Sequence, residues 1–91
     1  MKERNAKKWY VYLLRCSDGT YYCGITTDVE RRLCEHNETK RAARYTRARR
    51  PVSLVGFIEA KTRSEAQKKE ISIKRMSRQE KEGLFSIENS Y

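Results

Sequence analysis

The sequence predicts an α/β fold in which a three-stranded, mainly antiparallel sheet is flanked by helices in the order β-β-α-β-α-α. Three observations lead there. Two strand-like runs, Trp9 to Arg15 and Tyr21 to Ile25, are joined by the short turn Ser17-Asp18-Gly19. A third, loosely alternating run spans Val52 to Glu59, with Gly56 a candidate bulge. Capping boxes, a Ser or Thr followed three residues later by Glu, stand at Thr27-Asp28-Val29-Glu30, Thr62-Arg63-Ser64-Glu65 and Ser77-Arg78-Gln79-Glu80.

With 91 residues the chain holds one domain, placed at residues 9–85, after a disordered basic stretch at 1–8 and before a tail at 86–91. The first strand is apolar on both faces, as a central strand is. The length of the turn decides the register of the hairpin. A two-residue loop at Asp18-Gly19 would put Tyr12 and Tyr22 on opposite faces of the sheet. A three-residue loop with Gly19 in the left-handed conformation pairs Cys16 with Thr20, sets Leu14 opposite Tyr22 and brings both tyrosines to one side. The second register is the one expected. The first capping box opens a helix from about Asp28 to His36, the second one from about Arg63 to Arg75, and the third a short one ending near Gly83 or Leu84. Residues 37–51 lack periodicity, and Pro51 pushes Arg50 into an extended conformation.

Composition narrows the function. Lys and Arg number 21 against 12 Asp and Glu, a formal net charge of +9, so polyanions are attracted and nucleic acid is the first partner to consider. An anionic membrane surface would call for a basic helix with a strongly apolar opposite face, and no segment is apolar enough. No run approaches the ~20 apolar residues of a membrane span, and MKERNAKK has no apolar region behind it to make a signal peptide. Three cysteines without a CxxC pair read as free thiols packed like small hydrophobes, which points to a cytoplasmic location.

Certain polar residues stand where apolar ones belong. Arg32 and His36 fall on the helical stripe that carries Val29 and Leu33, and Gly24 lets the backbone approach something closely. A guanidinium turned toward the interior needs an anion, which is either a bound phosphate or Glu30 or Glu35. Ala66, Glu70 and Ile73 share a stripe in which Glu70 interrupts the apolar residues. Glu70 is either a half-exposed partner of Lys74 or a carboxylate for a hard cation such as Mg²⁺.

Tyr10-Val11-Tyr12, Tyr22-Cys23-Gly24, Arg32, His36 and Glu70, in that order and spacing, resemble the GIY-YIG nuclease superfamily over residues 9 to about 76. The likeness is strongest to the small stand-alone bacterial members. Relatives include the N-terminal cutting domain of a nucleotide-excision-repair endonuclease. The resemblance implies an enzyme that hydrolyses DNA phosphodiester bonds with one Mg²⁺ (or Mn²⁺) ion on Glu70, Arg32 on the phosphoryl group, and Tyr12, Tyr22 or His36 near the attacking water. A phenol near pKa 10 is a poor base at neutral pH, so a phenolate would need help from neighbouring cations. The resemblance leaves the base open among the three. Tyr10 and Cys23 depart from the usual tripeptides, and the Asn that many members carry has no clear counterpart, Glu82 lying near its position and Asn89 further on.

Six of the fifteen residues from 37 to 51 are Lys or Arg. Lys40, Arg41, Arg44, Arg47, Arg49 and Arg50 are thus expected on phosphates, with Tyr45 stacking on a base and Gly24 lining the substrate path. Nothing resembles a groove-reading helix, which favours single-stranded or distorted DNA. DNA is the expected partner, with no membrane and no small-molecule cofactor. The rival reading is a module of the same fold that binds nucleic acid without cutting it.

Overall fold

The structure is a computed structural model and describes residues 7–88, with side chains to Phe85. The expectations for residues 1–6 and for Asn89 lie outside the described residues. Three strands form one antiparallel sheet in the order β2-β1-β3: β1 (Trp9–Arg15), β2 (Tyr21–Thr26) and β3 (Ser53–Ala60). β1 is central, as its two apolar faces require. Helices α1 (Val29–Glu38) and α2 (Arg44–Arg47) cover one face, and α3 (Arg63–Lys74) and α4 (Arg78–Glu88) the other.

The hairpin adopts the three-residue register. Cys16 N–H donates to the Thr20 carbonyl at 2.8 Å, Leu14 faces Tyr22 and Tyr12 faces Gly24. Gly19 has φ +86°, the left-handed conformation that glycine adopts without a Cβ penalty. Asp18 braces the loop by accepting from the Thr20 amide at 3.0 Å and the Thr20 hydroxyl at 2.6 Å. In β3, Leu13 pairs with Gly56 and Leu14 with Leu54, so the extra residue is Val55, one before the expected glycine.

The helix starts follow the capping signals with one shift. α1 is capped by Asp28, whose carboxylate accepts from Arg31 N–H at 3.0 Å, and not by Thr27. Ser77 and Glu80 form the reciprocal box at 3.1 and 2.8 Å. α4 does not stop at Gly83 but continues to Glu88, beyond the expected domain edge, because Phe85 falls in helical phase and is completely buried. That burial offsets the roughly 1 kcal/mol a glycine costs inside a helix. The aperiodic stretch 37–51 contains an additional single-turn helix, α2, so the element order gains one member.

Alternation along β1 divides the core. Val11 and Leu13 face α3 and α4 with Cys23, Ala60, Ala66, Ile73 and Phe85. Tyr12, Leu14 and Cys16 face α1 and α2 with Val52, against Tyr22, Leu33 and Tyr45. Cys16 and Cys23 behave as small hydrophobes, whereas Cys34 is exposed on α1, contrary to the expectation that all three pack. Asn37 ties α1 to the start of β3 by donating to Val52 O at 2.9 Å and accepting from Val52 N–H at 2.7 Å. Among the described residues no helix is long and apolar enough to cross a membrane.

Candidate active site

β1, β2 and α1 bring Tyr12, Tyr22, Arg32 and His36 together on the α1 face. The Tyr12 and Tyr22 rings lie 6.5 Å apart, and each meets the His36 ring, at 5.7 and 5.4 Å. Tyr12 is 2% exposed and His36 0%, so both are held inside the protein. Their hydrogen bonds run in one direction. The Thr46 hydroxyl donates to Ala43 O at 3.0 Å and therefore accepts from His36 Nδ1–H at 2.6 Å. Nε2 is left as the acceptor, and the Tyr12 phenol donates to it at 2.8 Å.

Arg32 completes the group. Its guanidinium donates to Glu35 at 3.0 Å and to the Arg41 carbonyl at 2.7 Å. Of the anions expected for Arg32, the structure supplies Glu35. Burial first, and then the neighbouring Tyr22, push the Tyr12 pKa up against the pull of the Arg32 charge. Burial first, and then the Arg32 and Arg50 charges, lower the His36 pKa to about 4 against the opposing pull of Glu35. His36 is thus a neutral acceptor at neutral pH. Tyr22 differs from Tyr12 in being only half-buried, with no hydrogen-bond partner for its hydroxyl among the described residues.

Gly24 serves this site by close approach. A Cβ on it would sit 2.5 Å from the Tyr12 hydroxyl and 2.7 Å from its Cζ. The space over Gly24 is therefore filled by the Tyr12 phenol, which is the close approach that the glycine permits.

Glu70 stands on α3, across the sheet from Tyr12, and its described ion pair is to Lys74 at 3.3 Å. Burial first, and then the Glu70 charge, raise the Cys23 pKa to about 12. Tyr12 and the helix bearing Glu70 thus lie on opposite faces of the sheet. A cavity of about 560 Å³ joins those faces around the rim of β2, from Arg32 and Arg31 on α1 to Trp9, Ile25 and Arg63. No cluster of three metal-ligating side chains exists among the described residues. One carboxylate with 20% side-chain exposure still fits a Mg²⁺ ion that takes its remaining ligands from water and substrate phosphate.

The basic segment splits in two. Arg50 is structural: it donates to the His36 carbonyl at 2.6 Å and to those of Glu35 and Thr39, closing the end of α1. Arg49 pairs with Asp18 at 3.0 Å and covers the Tyr45 ring at 3.8 Å. Tyr45 stacks on Tyr22 at 6.2 Å and donates its hydroxyl to Thr20 at 2.7 Å, so its ring is built into the protein and is not open for a base. Lys40, Arg41, Arg44 and Arg47 remain on the surface. Glu82, near the place of the family's Asn, accepts from the Tyr21 hydroxyl and pairs with Arg78 at 3.5 Å. Two contributors carried no readable signal. Thr46 lies in the aperiodic stretch, and Arg63 looked like one more exposed cation in a capping box.

Sheet order, helix placement and the tyrosine–arginine cluster define an α/β domain of the GIY-YIG type. The chain belongs to the GIY-YIG catalytic domain family, whose sequence model matches residues 8–83. It is 51% identical over 75 residues to a UPF0213 protein of Desulfotalea psychrophila, spanning 82% of this chain and 68% of that one. A UPF0213 protein of Halobacterium salinarum is also 51% identical, over 84% of this chain and 97% of its own. Among solved structures, a UPF0213 protein from Bacillus halodurans is similar at 41% identity and TM-score 0.56, covering 91% of this chain and 87% of that one. A protein from E. faecalis is similar at 38% identity and TM-score 0.59, covering 93% and 90%.

Proposed function

We propose that this protein is an endonuclease that hydrolyses DNA phosphodiester bonds with one Mg²⁺ or Mn²⁺ ion. The observation that carries this reading is the convergence of Tyr12, Tyr22, Arg32 and His36 beside a cavity that leads around β2 toward the helix bearing Glu70. Glu70 would hold the ion, and the chemistry such an ion supplies is Lewis-acid polarisation of a phosphoryl oxygen. Arg32 neutralises charge that grows on the phosphoryl group. Tyr22, whose hydroxyl has no hydrogen-bond partner among the described residues, is the phenol that meets the attacking water. Tyr12 and His36 do not touch substrate. They are positioning residues whose hydrogen bonds to each other and to Thr46 hold the Tyr22 ring and the Arg32 guanidinium in place.

Labelled single- and double-stranded DNA incubated with the pure protein, with and without Mg²⁺ or Mn²⁺, tests this. Cleavage should require the metal and vanish in Glu70→Ala and Arg32→Ala while DNA binding persists. Tyr22→Phe should lower kcat by about 10²-fold or more, the scale of losing one group that acts on the proton of the attacking water. Cleavage that survives both Glu70→Ala and Arg32→Ala defeats the assignment. The Glu70–Lys74 ion pair favours a second reading, a nucleic-acid-binding module without cutting activity. It predicts salt-sensitive binding and no products under any metal.

A further inference from the structure

We propose that the cavity around the rim of β2 is a subsite for one unpaired nucleotide of single-stranded DNA, its base lying against the Trp9 indole and its phosphate on Arg63. The proposal rests on the nucleic-acid reading above and adds residues that reading does not use. The cavity of about 560 Å³ presents Arg31, Arg32, Arg41 and Arg63 against one carboxylate, Glu35, which Arg31, Arg32 and Arg41 already share. Arg63 makes no ion pair among the described residues, and its one described contact is the Trp9 ring, 5.7 Å from the guanidinium carbon. The Arg49–Tyr45 pair shows the contrast. There the guanidinium sits at 3.8 Å and is neutralised by Asp18, so both partners are spent on the fold.

A guanidinium without an anionic partner among the described residues, beside an incompletely covered indole in a concave basic site, suits a base with its phosphate. The base must be unpaired, because stacking on a side chain needs a ring face that a duplex keeps within its own stack. Position agrees with chemistry. Arg63 and Glu70 are seven residues apart on one stripe of α3, about 10 Å along its axis. A strand leaving the Arg32 site would pass Trp9 and Arg63 as it rounds β2.

Trp9 is the only tryptophan, so its fluorescence reads the subsite directly. The full chain, in EDTA, is titrated with a single-stranded oligothymidylate while anisotropy of a labelled copy follows total binding. Trp9 emission should quench in step with the anisotropy, and an oligonucleotide with abasic positions should bind without quenching it. Arg63→Ala should weaken binding about tenfold, the low end of one stacked base with its charge. Arg15→Ala, an exposed cation outside the cavity, should change it about twofold at most. Unchanged Trp9 emission at saturating oligonucleotide, or equal effects of Arg63→Ala and Arg15→Ala, overturns the subsite. Cleavage by the same preparation in Mg²⁺ separates the two claims. Cutting with a silent Trp9 removes the subsite and keeps the nuclease, and quenching without cutting does the reverse.

Discussion

Gly24→Ala is expected to be among the most damaging single-methyl changes in this protein. Gly24 has no left-handed backbone to preserve, since Gly19 is the only described residue with positive φ. Its cost comes from space. The new Cβ would fall 2.5 Å from the Tyr12 hydroxyl, 2.7 Å from Cζ and 3.1 Å from Cε2. The ring has nowhere to go, being 2% exposed and hydrogen-bonded to His36 at 2.8 Å. Overpacking of this kind costs about 1–3 kcal/mol, and tearing the phenol from Nε2 leaves a buried acceptor unpaired for about 1–3 kcal/mol more. A total of roughly 3 kcal/mol is a large share of the ~5–15 kcal/mol that a domain possesses. It should lower Tm by roughly 12–24 °C at this chain length. Urea unfolding of Gly24→Ala, Tyr12→Leu and the double variant gives the decisive comparison. In the Tyr12→Leu background the added methyl meets no ring, so Gly24→Ala should cost less than about 0.5 kcal/mol there, a coupling of roughly 2 kcal/mol or more. Near-wild-type stability of Gly24→Ala, or an equal cost in both backgrounds, would refute the reasoning.

Three further outcomes are expected. His36 is held neutral, with its pKa lowered to about 4 by burial and by Arg32 and Arg50 against Glu35, whereas an unfolded histidine titrates near 6.5. The unfolded chain therefore gains the proton first as pH falls, so stability is full above about pH 6.5 and declines toward pH 4, by up to about 3 kcal/mol. Urea midpoints across that range should show this slope in the wild type and lose most of it in His36→Gln. Arg50→Ala should cost about 2–3 kcal/mol, because three carbonyls lose a charged donor, and Arg50→Lys should restore only part of it; thermal unfolding of both variants checks this. Gly19→Ala has open space around it but would force an L-residue to φ +86°, costing about 1–2 kcal/mol without altering the DNA-binding isotherm.

Local chemistry made much of this structure legible in advance. The hairpin register followed from where Gly19 falls relative to Leu14 and Tyr22, because strand alternation leaves only two choices and one separates the phenols. Capping residues announced the helices, since unpaired amides at a helix start need a nearby oxygen acceptor. The end of α4 was hidden because Gly83 reads as a terminator, and only tertiary burial of Phe85 overrides it. The site was half visible. Arg32 and His36 betrayed themselves by interrupting an apolar stripe. Arg49, Arg50 and Tyr45 look like substrate-binding residues in a string of cations, yet three-dimensional neighbours such as Asp18, Tyr22 and the carbonyls ending α1 occupy them. Thr46, which sets the direction of the His36 hydrogen bonds, gave no periodic cue at all.

The placement of the site at the rim of β2 constrains how the sheet can grow. Any peptide or second protomer that annealed alongside Tyr21–Thr26 would wall Glu70 off from Tyr22 and seal the passage to Trp9. Strand addition beyond Ser53–Ala60 would leave that passage untouched. In the proposed nuclease, β-augmentation is thus inhibitory on one flank and silent on the other.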